Sequence, residues 1–337
     1  MQIRNPQSTI RNGMVDGVLI IDKPAGWTSH DVVARVRRIL SERRVGHTGT
    51  LDPFATGVLV VLAGRATRLA QFVSGAEKEY EAVIRFGYAT ETGDATGARR
   101  PAPSADLSGG QVEERRLRWS DEEIETALGG LRGHIEQVPP MYSAKKVKGR
   151  KLYEMARRGE EIERAPVPVV VHELEAMAAT PGGALLRRNE DETCDLSVRV
   201  VCSAGTYIRT LAESVGERLG APAHLASLRR TRAGHFRLED AKSLDELLEL
   251  CKAGQAASIL LPPEAVLSEM PFVHLTAEEA RRTRHGMTLH ASAELEAKCL
   301  NNQHVRMLDE HGRLLAVGIY DAPTGGLRPR VVLAIEK

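Results

Sequence analysis

The sequence predicts an α+β protein with a large mixed domain followed by a small, mostly β domain. Apolar and polar residues alternate over residues 80–88 and again over residues 194–202, which is the two-residue period of a β-strand. Residues 208–219 instead carry apolar side chains at the spacing of a helix. Pro262 and Pro263 then mark a change in composition. We therefore expect a mixed domain over residues 1–260 and a β domain over residues 264–337.

The first predicted elements lie near the amino-terminal end. Residues 17–22 are almost all apolar and predict a short buried strand, which a Pro-Ala-Gly turn ends. Ser29 is the predicted N-cap of a helix over residues 30–40, because the apolar residues that follow recur at helical spacing. A loop rich in Gly and Thr, residues 46–57, leads into an apolar strand at residues 58–62.

Later segments alternate between polar insertions and regular elements. Residues 99–118 are polar and predict an insertion, and residues 121–131 predict a helix. A basic insertion covers about residues 135–165. In the second domain, a capping-box pattern predicts a helix over residues 276–286. Residues 304–337 predict short strands around a turn.

Composition excludes several classes of protein. The chain has 337 residues, with 46 Lys and Arg against 45 Asp and Glu, so its net charge of +1 predicts no partner. The four cysteines form no Cys-x-x-Cys pair, which predicts reduced thiols rather than a zinc ribbon or a disulfide scaffold. We find no signal-peptide pattern and no apolar run of about 20 residues, and we expect a cytoplasmic protein.

The densest group of unusual residues is the loop at residues 46–57, which holds three Gly, three Thr, His47 and Asp52. Pro53 fixes the backbone directly after Asp52, and a carboxylate on a rigid turn can act as a nucleophile or a base. The plainer interpretation is a turn in which Asp is a common residue. His47 and Asp52 also have the H-x4-D spacing of some acyltransferases. We find no P-loop, no dinucleotide fingerprint and no HExxH motif, so no cofactor and no metal is expected.

Three residues outside this loop are candidates for the same site. Tyr80 begins an alternating strand and is able to stack on a nucleic-acid base, although a strand tyrosine more often packs in a core. Tyr207 and Arg209 follow a Gly-Thr pair where a strand gives way to a helix. A cation in the first turn of a helix is unfavourable with the helix dipole, which favours a specific role for Arg209, such as pairing with Asp52.

Basic residues form local clusters in this nearly neutral chain, which predicts a surface that follows nucleic-acid phosphates. A charge run is more often only a solvated face. The first cluster is interleaved with tyrosines, as expected where RNA bases are splayed and stacked. Its candidate RNA-backbone residues are Lys145, Lys146, Lys148, Arg150 and Lys151.

On its motifs, the chain resembles the bacterial TruB-type tRNA pseudouridine synthases, members of the pseudouridine synthase superfamily. The resemblance covers about residues 17–240 and weakens in the C-terminal part, which resembles a PUA-like RNA-binding domain. The motifs that carry it are Asp22-Lys-Pro-Ala-Gly-Trp-Thr-Ser29, Gly46-His-Thr-Gly-Thr-Leu-Asp-Pro-Phe-Ala-Thr-Gly57, Lys78-Glu-Tyr80, Thr92-Gly-Asp94, Val138-Pro-Pro-Met-Tyr-Ser-Ala144, Gly205-Thr-Tyr-Ile-Arg-Thr-Leu211 and Leu228-Arg-Arg230.

This resemblance implies a mixed, largely antiparallel sheet with flanking helices and an active cleft across its middle. It implies that uridine 55 in the T loop of tRNA is isomerised to pseudouridine on a flipped-out base, with Asp52 as the catalytic residue. Arg209 would pair with Asp52, and Tyr80 would stack on the base. His47, Tyr207 and Leu228 would line the nucleotide pocket.

The resemblance also implies a partner and a way to bind it. The basic insertion would clasp the T stem-loop, the C-terminal domain would hold the acceptor end, and Lys23 would be structural. We expect a monomer with no obligate protein partner. The sequence leaves three mechanisms open for Asp52, namely attack at C1′, attack at C6, or removal of the C2′ proton through a glycal. The alternative functions are an RNA-binding or tRNA-folding protein without catalysis, and an acyltransferase.

Overall fold

A computed structural model of the chain describes residues 10–11, 14–73, 75–100, 117–143, 145–147, 149–156, 158–160, 162–178 and 183–333. The predicted α+β class is confirmed, with one large mixed sheet, flanking helices and a smaller sheet in the C-terminal part. Most of the predicted polar insertion, residues 101–116, lies outside the described residues.

The strands are, in chain order, β1 (Ile10–Arg11), β2 (Met14–Val15), β3 (Gly17–Lys23), β4 (Val45–His47), β5 (Thr56–Ala63), β6 (Lys78–Phe86), β7 (Gly133–Gln137), β8 (Lys146–Val147), β9 (Arg150–Lys151), β10 (Val167–Met177), β11 (Leu186–Arg188), β12 (Cys194–Cys202), β13 (Ala223–Ala233), β14 (Phe236–Arg237), β15 (Phe272–His274), β16 (Leu289–His290), β17 (His304–Leu308), β18 (Leu314–Asp321) and β19 (Gly326–Val332). The α-helices are α1 (Ser29–Leu40), α2 (Asp121–Gly129), α3 (Leu152–Ala156), α4 (Ile208–Leu219), α5 (Leu244–Lys252), α6 (Ala277–Arg284) and α7 (Ala293–Lys298). Short 3₁₀ helices cover Gly64–Phe72, Leu238–Asp240, Ala256–Ser258 and Pro263–Leu267.

The large sheet runs in the order β3-β5-β13-β6-β12-β10-β7, and β4, β11 and β14 pair at its margins. Among the described strands, β13 and β5 form its one parallel pair and the other pairings are antiparallel. The expected largely antiparallel sheet is therefore confirmed. Strands β6 and β13 lie near its middle, which is where the candidate site is found.

The alternation predicted for β6 matches the burial of its side chains. Tyr80, Ala82, Ile84 and Phe86 face the core and are buried, whereas Glu81 on the other face is exposed. Helices α2 and α4 pack against this face, so their apolar residues and those of β6 and β12 form one core. The strand ends two residues before the predicted limit at residue 88. The core therefore fixes the position of Tyr80 in the sheet.

The helix predicted over residues 30–40 is present as α1, but its N-cap is Thr28 and the prediction of Ser29 is wrong. The Thr28 hydroxyl accepts a hydrogen bond from the Asp31 amide (3.1 Å), and the Asp31 carboxylate accepts one from the Thr28 amide (2.9 Å). This reciprocal capping box needs an acid three residues after the cap, which Thr28 has and Ser29 lacks. The Ser29 hydroxyl is left for a tertiary contact.

The smaller sheet lies in the C-terminal part and runs in the order β15-β17-β18-β19-β16. Thr276 and Glu279 form the predicted capping box at the start of α6. Apolar residues of this sheet, such as Val317 and Val331, share a cluster with Val58 and Leu62 of β5. The two sheets are therefore joined by a continuous apolar contact. No described helix is both long and apolar enough to cross a bilayer.

Candidate active site

The segment between β4 and β5 carries Asp52, and a buried lysine from β3 holds it in place. Lys23 is fully buried, and its Nζ donates hydrogen bonds to the carbonyl oxygens of Pro24 (2.8 Å), Trp27 (2.6 Å) and Pro53 (3.1 Å). Burial lowers the pKa of Lys23 to about 8, and the Asp52 carboxylate acts in the opposite direction. Because one of its acceptors directly follows Asp52, Lys23 positions the carboxylate from outside the cavity.

Two further side chains fasten the same segment. The Ser29 hydroxyl accepts a hydrogen bond from the Leu51 amide (2.9 Å), which is the tertiary contact left open by the capping of α1. Arg230 is buried, and its guanidinium donates to the carbonyl oxygens of Val58 (2.7 Å) and Gly49 (3.0 Å). The segment before and after Asp52 is therefore tied to α1, β3 and β13.

Gly57 is required where β5 meets β13. Its φ is +102°, and a Cβ added there would lie 2.2 Å from the carbonyl oxygen of Arg230. A side chain at this position would separate the two strands at the base of the loop. Gly46, at the other end of the loop, has no atom within 4 Å of an added Cβ.

Arg209 pairs with Asp52 as the sequence predicted. Its Nε lies 2.9 Å from Asp52 Oδ2 and its Nη2 lies 3.2 Å from Oδ1, so the fork of the guanidinium faces both carboxylate oxygens. The same side chain donates to the carbonyl oxygens of Thr92 (2.9 Å) and Tyr142 (2.8 Å). These contacts explain a buried arginine in the first turn of α4, where the helix dipole alone would disfavour it.

A second carboxylate lies behind the pair. Asp94 is buried, and its Oδ2 is 3.7 Å from Nη1 of Arg209. Its Oδ1 accepts hydrogen bonds from the Thr92 hydroxyl (2.8 Å) and from the amide and hydroxyl of Thr96 (3.0 and 2.6 Å). The sequence analysis quoted Asp94 within a motif but gave it no role. An acid with a hydroxyl residue two positions to either side is the signal that could have identified it.

Burial and the neighbouring cations have opposite effects on the pKa of Asp52. Burial raises the pKa of the Asp52 carboxyl, Asp94 raises it further, and the Arg209 guanidinium lowers it. The side chain still keeps 33% of its surface exposed, toward the cavity that it lines. The net effect is a raised pKa, and Arg209, with a weaker contribution from Lys23, favours the ionised, reactive form of Asp52.

A cavity of about 240 Å³ opens on the Asp52–Arg209 pair. Tyr80 from β6, Leu228 from β13 and Tyr207 at the start of α4 all line it, so these three predicted residues are brought together. Burial raises the pKa of the Tyr80 phenol, which keeps the ring neutral. Sequence reasoning did not single out Lys78, Ser143 and Arg230, which also line the cavity.

His47 is placed differently from the other predicted residues. It is the last residue of β4, and it contacts the edge of the His30 ring at 5.5 Å between centroids. It is not among the residues that line the cavity. Burial lowers the pKa of His47 to about 4, so its ring is neutral near pH 7.

The predicted RNA-backbone residues fall partly within the described residues. Lys145 is half-buried and lines the cavity, and Arg150 is exposed and pairs with Glu160 at 3.0 Å. Lys146 and Lys151 lie in β8 and β9, and their side chains are outside the description. Lys148 lies outside the described residues. The RNA-binding role of these five residues stays a prediction.

Comparison with known proteins identifies the family. A family model described as the N-terminal domain of TruB family pseudouridylate synthases matches residues 37–208. A second, described as the C-terminal domain of tRNA pseudouridylate synthase B, matches residues 209–268. Among solved structures, a chain of a Cbf5–Nop10–Gar1 complex matches with a TM-score of 0.70 at 24% identity, covering 98% of this chain and 88% of that one. That match shows the fold.

Two relatives share much more of the sequence. The tRNA pseudouridine synthase B of Geobacillus thermodenitrificans is 44% identical over 285 residues, which are 84% of this chain and 88% of that protein. The protein of the same name from Thermobifida fusca is 43% identical over 330 residues, which are 95% of this chain and 99% of that protein. With the family model covering half of its length, this chain belongs to the TruB family of pseudouridylate synthases.

Proposed function

We propose that this chain converts uridine 55 in the T loop of tRNA to pseudouridine, with Asp52 as the catalytic residue. The broader statement is carried by the family and its relatives: the chain is an enzyme that forms pseudouridine in tRNA. The finer statement depends mainly on one observation, the Asp52–Arg209 pair in the wall of a cavity of about 240 Å³.

The chemistry of the reaction suits these groups. The glycosidic bond from N1 of uracil to C1′ is broken, the base turns, and a bond from C5 to C1′ replaces it. A proton leaves C5 and one is gained at N1, so the product is an isomer and no electrons are transferred. Attack at C1′, attack at C6 and removal of the C2′ proton all require an ionised carboxylate, and Arg209 favours that form of Asp52.

The other walls of the cavity suit a uracil ring. Tyr80 offers a neutral aromatic face and Leu228 offers an aliphatic surface, and stacking of a base on such a face contributes about 1–3 kcal/mol. This contact offsets the few kcal/mol that unstacking a base costs, a cost that is smaller in a loop than in a duplex. We therefore propose that the target uridine is flipped into this cavity.

The remaining contacts follow from charge. Lys145, Arg150 and their basic neighbours bind the phosphates of the T stem-loop, and the C-terminal sheet holds the acceptor end. The protein acts as a monomer. An RNA-binding protein without catalysis would keep these surfaces and would not need a carboxylate beside the cavity.

The test uses a T-arm stem-loop transcript without metal or cofactor. Pseudouridine is mapped by carbodiimide treatment and primer extension, and binding is measured separately. We compare Asp52→Asn with Asp22→Asn, because both carboxylates are 33% exposed and paired with an arginine, but Asp22 (2.7 Å from Arg229) lies outside the cavity.

The wild type should give a primer-extension stop at the T-loop uridine, and a transcript with cytidine at that position should give none. Asp52→Asn should reduce turnover by about a thousandfold or more, while the Kd for RNA changes by less than about threefold. Asp22→Asn should keep most of the activity. A stop that persists in Asp52→Asn would reject the assignment of Asp52. Binding without any stop in the wild type would favour the non-catalytic RNA-binding function.

A further inference from the structure

Ser143 lines the same cavity and has an unusual environment for a hydroxyl group. The residue is only 4% exposed, and its Oγ is shielded from water. This oxygen makes no hydrogen bond to any residue within the described part of the chain. A buried hydroxyl without a partner costs free energy, so such groups in folded proteins are nearly always paired.

Two other hydroxyl groups around the cavity, those of Ser203 and Thr206, are already bonded. The Ser203 Oγ accepts a hydrogen bond from the Val170 amide at 2.9 Å. The Thr206 hydroxyl donates to the Ser203 carbonyl oxygen at 2.9 Å. Both residues line the cavity as Ser143 does. The unpaired state is therefore a property of Ser143 and not of the cavity wall in general.

The chain places Ser143 on the side of the cavity where the chemistry occurs. The preceding residue, Tyr142, accepts a hydrogen bond through its carbonyl oxygen from Nη2 of Arg209 (2.8 Å), and the same Nη2 is 3.2 Å from Asp52 Oδ1. Ser143 thus directly follows a residue that is hydrogen-bonded to the Asp52–Arg209 pair. Tyr80 and Leu228, by contrast, lie on the neighbouring strands β6 and β13.

We propose that Ser143 is a specificity-determining residue whose Oγ forms a hydrogen bond with the 2′-hydroxyl of the target uridine. The inference depends on the proposed function, because it assumes that a nucleotide occupies the cavity. With the uracil stacked on Tyr80, the ribose lies toward Asp52, which has to reach C1′, C6 or C2′. The proposal includes a rotation about the Cα–Cβ bond of Ser143 that brings its buried hydroxyl to the nucleotide.

The chemistry of the two groups is well matched. A hydroxyl both donates and accepts, so two hydroxyls pair whichever one supplies the proton. The 2′-hydroxyl is also the group that distinguishes RNA from DNA at a given position. Ser143 would therefore make the enzyme sensitive to the sugar of a single nucleotide, independently of the phosphate contacts of the basic insertion.

The experiment measures binding rather than turnover, and it uses the full chain with Asp52→Asn to prevent reaction. Two stem-loop RNAs are compared, one with uridine and one with 2′-deoxyuridine at the target position. We expect the deoxy substitution to raise the Kd by about two- to tenfold, the range that one hydrogen bond contributes. In the double variant Asp52→Asn/Ser143→Ala, the two RNAs should bind equally well.

The matched control is Asp52→Asn/Ser203→Ala, which removes a hydroxyl from the same cavity that already has a partner. This variant should still discriminate between the two RNAs, although its thermal stability should fall. Ser143→Ala should not lower the thermal stability of the free protein, because it removes an unsatisfied group. Ser143→Cys, which keeps a side chain of similar shape with a weak hydrogen-bonding group, should lose discrimination as Ser143→Ala does.

Discrimination that persists in both Ser143 variants would overturn the proposal, as would equal binding of the two RNAs by the Asp52→Asn parent. A large loss of thermal stability in Ser143→Ala would show a structural bond and would also overturn it. The failure of the proposed function is a separate result, because it appears as the absence of pseudouridine when the wild type is incubated with the uridine RNA.

Discussion

The Asp52 loop, residues 46–57, is fixed by buried side chains from three other elements, whereas the described residues of the basic segment, 139–164, include bonds that join one part of the segment to another. Lys23 and Arg230 donate hydrogen bonds to carbonyl oxygens of the loop or beside it. In the basic segment, the described bonds include Arg164 to the Pro139 carbonyl oxygen (3.0 Å) and the exposed Arg150–Glu160 pair.

This difference follows from what each region has to bind. A reacting carboxylate loses its effect when it is displaced by about 1 Å, so the loop needs a rigid support. Phosphate binding depends on charge density and tolerates variation in geometry. The loop and the segment meet at Arg209, which bonds both Asp52 and the Tyr142 carbonyl oxygen. Substitutions in the loop, in the basic segment and at Arg209 therefore test this difference.

The largest loss of stability is expected from Gly57→Ala at the base of the loop. The added methyl group would overlap the Arg230 backbone and would need a backbone conformation that L-residues avoid. We expect a loss of about 3 kcal/mol in the free energy of unfolding and at least a tenfold loss of turnover. Chemical denaturation and single-turnover assays measure both.

Gly46→Ala is the control within the same loop. No atom lies within 4 Å of its added Cβ, and its backbone is not in the left-handed region, so the free energy of unfolding should change by less than about 0.5 kcal/mol. If the two alanine variants behaved alike, the close approach of β5 and β13 would not be what holds the loop.

Arg209→Gln, at the point where the two regions meet, should have a smaller effect, namely a change in the pH dependence of the rate. Activity requires ionised Asp52, so the rate falls as the pH falls through the pKa of this carboxyl. Arg209 lowers that pKa and burial raises it, so removal of the guanidinium should move the acidic limb of the pH–rate profile to higher pH, by about one unit or more. The single-turnover rate as a function of pH measures this shift.

The Arg209 experiment needs a check on folding, because the side chain also bonds Thr92 and Tyr142. Thermal unfolding of the variant provides it. A folded variant whose acidic limb coincides with that of the wild type would show that Arg209 does not control the ionisation of Asp52. A lower rate at every pH would then indicate a purely geometric role.

The sequence predicted elements and residue types well, because both follow from local pattern. The alternation in β6, the helix α4 and the Asp52–Arg209 pair were all predicted. The cap of α1 was placed one residue late, because Ser and Thr are adjacent and equally suited to capping.

The supports of the site were harder to predict, because they depend on distance in space. Arg230 reaches Gly49 across 181 positions of the chain, and Asp94 reaches Arg209 across more than a hundred. No periodicity joins such pairs. Ser143 lies within one of the quoted motifs, but the motif does not show that its hydroxyl is unpaired, because that depends on the packing around it.

The smallest effect is expected in the basic segment, on the salt dependence of RNA binding by Arg150→Ala. Lys252→Ala is its matched control. Both cations are exposed and paired with a glutamate, Arg150 with Glu160 at 3.0 Å and Lys252 with Glu249 at 2.8 Å, but Lys252 lies in α5, outside the basic segment. Exposed pairs contribute little to stability, so neither variant should lose more than about 1 kcal/mol in the free energy of unfolding.

Loss of one phosphate contact should make the plot of log Kd against log salt concentration shallower by about 0.7–0.9 in Arg150→Ala, with no change in Lys252→Ala. An equal change in both variants would mean that RNA responds to the overall charge of the protein. The basic segment would then not be a specific RNA-binding region that contrasts with the rigid loop.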